Sequence, residues 1–379
     1  MDNNNPNQNN QRNVKDARSR AKADGGKSPR KKLLWNILLI AIIALTIWAI
    51  TSQEGFSIKE FWEYLTSLNP VFLILAILSM LAVIFFEALA ILTIIKTLGQ
   101  RQRFKSGFLY ATSDLYFSAI TPSSTGGQPA SGYLMMKDGI PGTVATVGLL
   151  VNVIMYNLAI IIISVVTFLI KPEVVLGFST LSKVLIIVGT FCLSCLALFS
   201  FIILYKSHFI QRVGHWFINL FVKIKLIRKP EKLRAKLDSC IESYDTHVSH
   251  LKGTSAMILK VLLFNILQRI CNIAVTLFIY LASSENPGAA FDVWSAQCMV
   301  IIGTNMLPIP GAVGISDYLL IDSFGTIGFD AMGAVNLSLL SRTISFYFSV
   351  IVCGASLIIY AISNKIKEKK QEKDAENNK

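Results

Sequence analysis

The sequence predicts an all-α polytopic membrane protein of about six full spans plus two re-entrant broken helical hairpins arranged as inverted repeats. Three observations carry that expectation. Of 379 residues, 53% are hydrophobic and 16% charged, with a mean hydropathy of +0.54, far from a soluble average. The net charge of +13 concentrates at the N-terminus, in one central stretch and at the C-terminus, as cytoplasmic segments do under the positive-inside rule. Finally, two polar, Gly/Pro-broken stretches, Thr121–Pro141 and Leu307–Leu320, interrupt an otherwise apolar chain. Irregular backbone survives at membrane depth only where protein buries it or where it lines a wet cavity.

The same inventory excludes several function classes. The basic residues lack an aromatic RNA-reading platform, so anionic headgroups explain the charge and no nucleic acid is expected as a partner. Cys192 and Cys195 form a C-x-x-C inside an apolar run with no βαβ pattern, and Cys271, Cys298 and Cys353 also lie in apolar stretches. They read as small helix-packing residues, not as a disulfide or metal framework. His208, His215, His247 and His250 all fall in the central connector without a carboxylate or thiolate cluster, and read as solvated surface residues. No cofactor and no metal is expected.

In chain order, residues 1–32 are Asn/Gln-rich and then basic, a composition that reads as a disordered cytoplasmic tail. Leu33–Ile50 reads as a retained first span, not a signal peptide. The first membrane half runs over 33–205, with further spans at Val71–Ile95, Thr143–Ile170 and Val184–Tyr205. Glu87 lies within Val71–Ile95 and must face the protein interior, either as a structural hydrogen bond or as a functional group. Gly107–Ile120 is apolar but short, and Ala130–Met136 can return to the same face. With the break between them they form a hairpin over 107–137, read as re-entrant; the alternative is a plain extramembrane loop. Within the break, Pro122 and Pro129 remove donors, while Gly126 and Gly127 allow positive φ and close approach. Two half-helices meeting there would present N-terminal ends that attract anions.

The connector, 206–252, opens with an amphipathic helix over Phe209–Ile224 that Pro230 ends, followed by a more polar helix over Glu231–His250. The second membrane half, 253–363, holds Leu259–Leu281 with Gln268 and Arg269 toward its inner part. A second hairpin covers 293–328, and a final span runs roughly over Ala334–Ile362 with Arg342 near its outer part. Arg342 needs a counter-charge, for which Asp317, Asp322 and a substrate phosphate are candidates. The Lys-rich tail, 364–379, returns to the cytoplasm, where the N-terminus also lies. Placing Tyr133–Leu134 over Tyr318–Leu319 also sets Gly126 on Gly311 and Ser131 on Ser316 without a gap, and positive-inside bookkeeping has the two breaks entering from opposite faces.

Three segments together, T-P-S-S-T-G-G-Q-P at 121–129, P-G-A-V-G-I-S-D at 310–317 and R-T-I-S-F-Y-F-x-x-x-x-x-G from Arg342 to Gly354, resemble the transmembrane, flippase-like family of bacterial lysylphosphatidylglycerol synthases. The resemblance extends over about residues 33–363. It implies a bacterial cell-membrane domain that moves or binds phospholipid or another lipid-linked anion. In full-length relatives a soluble domain charges phosphatidylglycerol with lysine from lysyl-tRNA, giving resistance to cationic antimicrobial peptides. After residue 363 only a short charged tail remains, so that C-terminal aminoacyltransferase domain is not expected here. Ala312 stands at the family's second glycine, Asp317 at its acidic position, and Ser349 where relatives often have proline, leaving an unkinked last helix open.

The leading expectation is a lipid flippase or translocase for an anionic or lysyl-modified phospholipid or a polyprenyl-phosphate-linked substrate. Headgroup contacts are assigned to Ser124, Thr125, Gly126, Gly127 and Gln128 on one side and to Gly311, Gly314, Asp317 and Arg342 on the other, with Glu87 and Arg269 supporting. In that expectation the first group is uncharged and the second carries the charge. No residue is assigned a catalytic role. The alternatives are a phosphatidylglycerol lysyltransferase and a non-transporting membrane partner of a separate synthase or glycosyltransferase; self-association into a homo-oligomer also stays open.

Overall fold

A computed structural model describes residues 58–223, 230–251, 253–283, 287–305, 310–312 and 314–377. The expected N-terminal tail and the expected first span, Leu33–Ile50, lie outside them. The described residues form helices and no strand: α1 (Ile58–Ser67), α2 (Pro70–Thr97), α3 (Phe104–Ile120), α4 (Gly127–Lys137), α5 (Gly142–Ile170), α6 (Pro172–Gly177) and α7 (Thr180–Tyr205). There follow α8 (Ser207–Lys223), α9 (Pro230–Leu251), α10 (Ser255–Ser283), α11 (Ala290–Thr304), α12 (Ile315–Ile327), α13 (Ala331–Arg342) and α14 (Ser349–Asn377). The last two are joined through a π-helical turn, Thr343–Phe348. Four helices, α2, α5, α7 and α10, and the continuous stretch Ala331–Asn364 are long and apolar enough to cross a membrane. The protein is an all-α, multi-pass membrane protein.

Local chemistry fixes the helix ends. Asn69 caps α2 by accepting from the Val71 N–H at 3.0 Å, with Pro70 at the first helical position, where its missing donor is no loss. The Asn69 N–H in turn donates to the Ala282 carbonyl at 3.1 Å, which ties the start of α2 to the end of α10. These two helices form the most extensive pair among the described residues. Gly328 ends α12 with φ 105, and Asp330 caps the next helix through the Gly333 N–H at 3.2 Å.

Close packing substitutes for a hydrophobic drive that lipid cannot supply. At Gly189 of α7 a Cβ would sit 2.5 Å from the Ile302 carbonyl oxygen and 2.7 Å from the Gly303 Cα, so the α7 and α11 backbones nearly touch. Outside this region, Lys171 at the end of α5 pairs with Asp292 in the first turn of α11 at 2.7 Å. In the connector, α8 exposes Trp216 (58%) and its aromatic neighbours, as a helix lying along a membrane interface would. Its polar side meets α9, where Asp238 accepts from Gln211 at 2.9 Å and meets His215 at 2.9 Å. Gln211 first and His215 second hold that carboxyl below its ordinary value. His215 is therefore partnered, not merely solvated. The buried face of α9 carries Ile241, Tyr244 and Val248, and the Tyr244 hydroxyl donates to the Ile203 carbonyl at 3.1 Å.

Several local expectations need correction. Pro230 starts α9, because proline fits a first helical turn; the expected end of the amphipathic helix lies outside the described residues. The hairpin helices are longer than expected: α3 takes in Phe104, Lys105 and Ser106, and α4 takes in Gly127, Gln128 and Pro129. The last helix is not regular near Ser349, since the π turn immediately precedes it. Element order repeats, with α2–α3–turn–α4–α5 matched by α10–α11–turn–α12–α13/α14. The gapless register is not kept: it sets Gly127 on Ala312, whereas α12 begins three residues later, at Ile315.

A Gly189→Val variant should lower stability by about 1–3 kcal/mol through overpacking, read as a fall in melting temperature of the purified protein in detergent. Leu198→Val, at a residue that is 61% exposed, should leave that temperature unchanged.

Candidate functional site

The two breaks meet: the turn Pro122–Ser124 packs against the turn Pro310–Ala312. In the first, Thr121 leaves the helix with φ −115 and ψ 147, and its hydroxyl donates to the Phe117 carbonyl at 2.6 Å while accepting the Gly126 N–H at 2.8 Å. The left-handed residues are Ser123 (φ 50) and Ser124 (φ 55), not the glycines; Gly126 has φ −81 and Gly127 is already helical. Gly127 is needed for space, because a methyl group there would overlap the Asp114 carboxylate and the Ser118 hydroxyl. In the second break Gly311 (φ 59), Ala312 (φ 50) and Gly314 (φ 82) are left-handed. Ala312 bears there a strain of roughly 1–2 kcal/mol that glycine would not.

On one side of these turns lies a cavity of about 330 Å³ walled by two acids, Glu87 and Asp114. Glu87 is 4% exposed and accepts from Asn152 at 2.7 Å and Gln268 at 2.6 Å. Asp114 accepts from Ser118 at 3.2 Å and Gln128 at 2.7 Å. Neither acid is in an ion pair among the described residues.

On the other side lies a cavity of about 240 Å³ that Arg269 and Arg342 enter, with Asn272, Gln297 and Ser316 as polar neighbours. Arg342 donates to the Asp317 carboxylate at 3.1 Å, to the Gly311 carbonyl at 2.8 Å and to the Ser316 hydroxyl. Its guanidinium also lies over the Phe346 ring, 5.1 Å from the centroid. The other Asp317 oxygen accepts the Gly314 N–H at 3.0 Å. Of the candidate counter-charges, Asp317 is therefore the one Arg342 meets; Asp322 instead accepts from Ser179 at 3.1 Å and Ser182 at 2.5 Å.

Tyr156 and Asn305 divide the two cavities. The Arg269 guanidinium lies 4.3 Å from the centroid of the Tyr156 ring and donates to its hydroxyl at 3.3 Å; that hydroxyl donates on to Asn305 at 3.0 Å. Ser124 and Asn305 border both cavities. Successive residues of α10 serve opposite sides, since one helical step rotates a side chain by about 100°: Gln268 lines the acidic cavity and Arg269 the basic one.

Of the residues expected from sequence, Ser124, Thr125, Gln128 and Glu87 line the acidic cavity, and Ser124, Gly311, Arg269 and Arg342 the basic one. Gly126, Gly127, Gly314 and Asp317 are on neither wall and act by shaping or charging what is. Arg269 falls at the middle of α10, not toward one end. The residues assigned to the first break are uncharged, but Asp114 of α3 stands against them and brings an acid to that side. Asp114, Asn152, Tyr156 and Asn305 were not anticipated. An acid inside an apolar helix was the available signal for Asp114; nothing local marks Tyr156 or Asn305.

Asp317→Asn should destabilise the protein by about 3–5 kcal/mol, because it strands a buried guanidinium. The joint replacement Asp317→Leu with Arg342→Met should recover much of that loss. Thermal unfolding of the three proteins in detergent checks both outcomes.

The comparisons with known proteins fit this architecture. The family described as the lysylphosphatidylglycerol synthase TM region matches residues 36–353. A UPF0104 membrane protein of Methanocaldococcus jannaschii is 24% identical over 341 residues, covering 89% of this chain and 98% of that protein. With every long apolar helix of the described structure inside or overlapping the matched segment, the chain belongs to the lysylphosphatidylglycerol synthase transmembrane-region family.

Proposed function

We propose that the chain is a lipid translocase whose substrate carries a phosphate headgroup: an anionic or lysyl-modified phospholipid or a polyprenyl-phosphate-linked molecule. One observation carries this reading. Two guanidiniums enter a polar cavity between apolar helices, and the Nε of each, Arg269 and Arg342, has no hydrogen-bond partner. Spare buried donors beside positive charge suit a phosphate, which offers several acceptor oxygens. In this reading the two hairpins are re-entrant and inverted, the headgroup occupies the groove between their turns, and acyl chains remain in the surrounding lipid. Movement of one half against the other exposes the groove to alternate faces.

Lipid mass spectrometry on protein extracted in mild detergent, with headgroup-labelled lipid equilibration in liposomes, tests the reading. We expect an anionic lipid to co-purify, and Arg342→Lys, Arg269→Gln and Gly127→Leu each to reduce its recovery and transbilayer movement by at least about tenfold, one lost charge-assisted contact. Undiminished lipid in folded Arg342→Lys and Arg269→Gln proteins would overturn the assignment.

A further inference from the structure

We propose that the acidic cavity binds a small monovalent cation from solution, and that this cation is coupled to occupancy of the neighbouring basic cavity through Tyr156 and Asn305. The coupling clause rests on the phosphate reading above; the cation site does not.

The wall chemistry is one-sided. All four carboxyl oxygens of Glu87 and Asp114 accept hydrogen bonds from uncharged donors, and among the described residues no cationic side chain pairs with either acid. An independent observation points the same way. Gln268, with 0% exposure, and Gln128 both line this cavity, spend their amide N–H groups on the carboxylates, and leave their Oε1 atoms without a partner. The Ser118 hydroxyl and the Ser124 carbonyl lie beside them, 3.3 Å apart. A buried cluster of unpartnered amide oxygens beside carboxylate oxygens is the donor set of a hard cation. The described residues hold no group of three His, Cys, Asp or Glu side chains suited to a metal ion, and two carboxylates with neutral oxygens fit one or two positive charges from alkali ions better than a transition metal.

The partition makes the coupling physical. The Tyr156 hydroxyl receives from Arg269 and gives to Asn305, and both Tyr156 and Asn305 border the acidic cavity. A cation beside Glu87 and Asp114 repels Arg269 and favours an anion next to it, so each ligand raises the other's affinity by the same factor.

The test uses the whole protein. In lipid-free detergent, sodium chloride should raise the melting temperature by several degrees, on the order of 2–4 °C, over the same concentration of N-methyl-D-glucamine chloride. Asp114→Asn and Glu87→Gln should abolish that rise; the first removes charge without touching the amides that hold Glu87, so it covers the case in which the second fails to fold. In liposomes an inward sodium gradient should speed labelled-lipid movement, and Tyr156→Phe should retain the melting-temperature rise but lose the gradient dependence. No sodium response in folded wild-type protein overturns the cation site, as does a response to ethylammonium alone, which would make the cavity a seat for a lipid ammonium group. Sodium binding without any lipid movement leaves the cation site standing and overturns the translocase reading together with the coupling. Lipid movement indifferent to a bound cation overturns the coupling alone.

Discussion

Everything in the site depends on the hydrogen bonds that converge on Glu87. In lipid, helices gain little from hiding apolar surface against one another, so close packing and polar contacts must decide which helices meet and at what rotation. Glu87 on α2 takes one amide from Asn152 on α5 and another from Gln268 on α10. The network continues through Asn265, which donates to Asn152 at 3.3 Å and to the Val261 carbonyl at 3.0 Å. Three long helices are thereby locked in rotation around one carboxylate. Because Gln268 is held there, Arg269 is turned to the other side. The division into an acidic and a basic cavity follows from that single rotational setting.

The helix breaks play a different part from the one helix-terminus electrostatics suggests. An open helix N-terminus attracts anions, and on sequence alone the breaks invited a ligand to sit on those ends. At α12 the end is already occupied: Asp317 takes the Gly314 N–H with one oxygen and Arg342 with the other. At α4, Asp114 lies against Gly127 and takes the Gln128 side chain. The end of α12 is thus filled by the protein's own carboxylate, and a carboxylate stands beside the end of α4, so the cationic groups facing the basic cavity are side-chain guanidiniums. The breaks bring the ends of the two hairpins together where the turns Pro122–Ser124 and Pro310–Ala312 meet.

Legibility from sequence follows the range of the determining interaction. The membrane-crossing helices were readable because their apolar length is a local property. The need of Arg342 for a partner was readable, because a guanidinium inside a span demands one, but the sequence left Asp317, Asp322 and a substrate phosphate open as that partner. The left-handed turn was misplaced onto Gly126 and Gly127 because glycine serves two purposes, φ freedom and lack of bulk, and the sequence does not say which; here Ser123 and Ser124 take the φ and Gly127 yields the bulk. Asp114 was passed over although an acid in the apolar helix α3 carried a clear signal. Tyr156 and Asn305 were unreadable for a better reason. Their contact joins positions 149 residues apart, and a tyrosine in an apolar span is ordinarily packing.

The tyrosine explains why two cavities exist instead of one. A buried arginine and a buried glutamate on neighbouring helices would ordinarily close into an ion pair, and each group in such a pair spends part of its hydrogen-bonding capacity on the other. Arg269 is kept from that outcome by an alternative partner: it lies over the Tyr156 ring and bonds its hydroxyl, and the hydroxyl is anchored by Asn305. Cation–π stacking and one neutral hydrogen bond hold a guanidinium less tightly than a carboxylate does. The arrangement therefore keeps the acids and the Arg269 guanidinium near one another without an ion pair between them among the described residues. In a membrane interior an unpaired ionisable group is costly, and a ligand of opposite sign would relieve that cost. Under the proposed reading such a site favours joint occupancy over either ligand alone, the condition under which a gradient of one ligand drives the other.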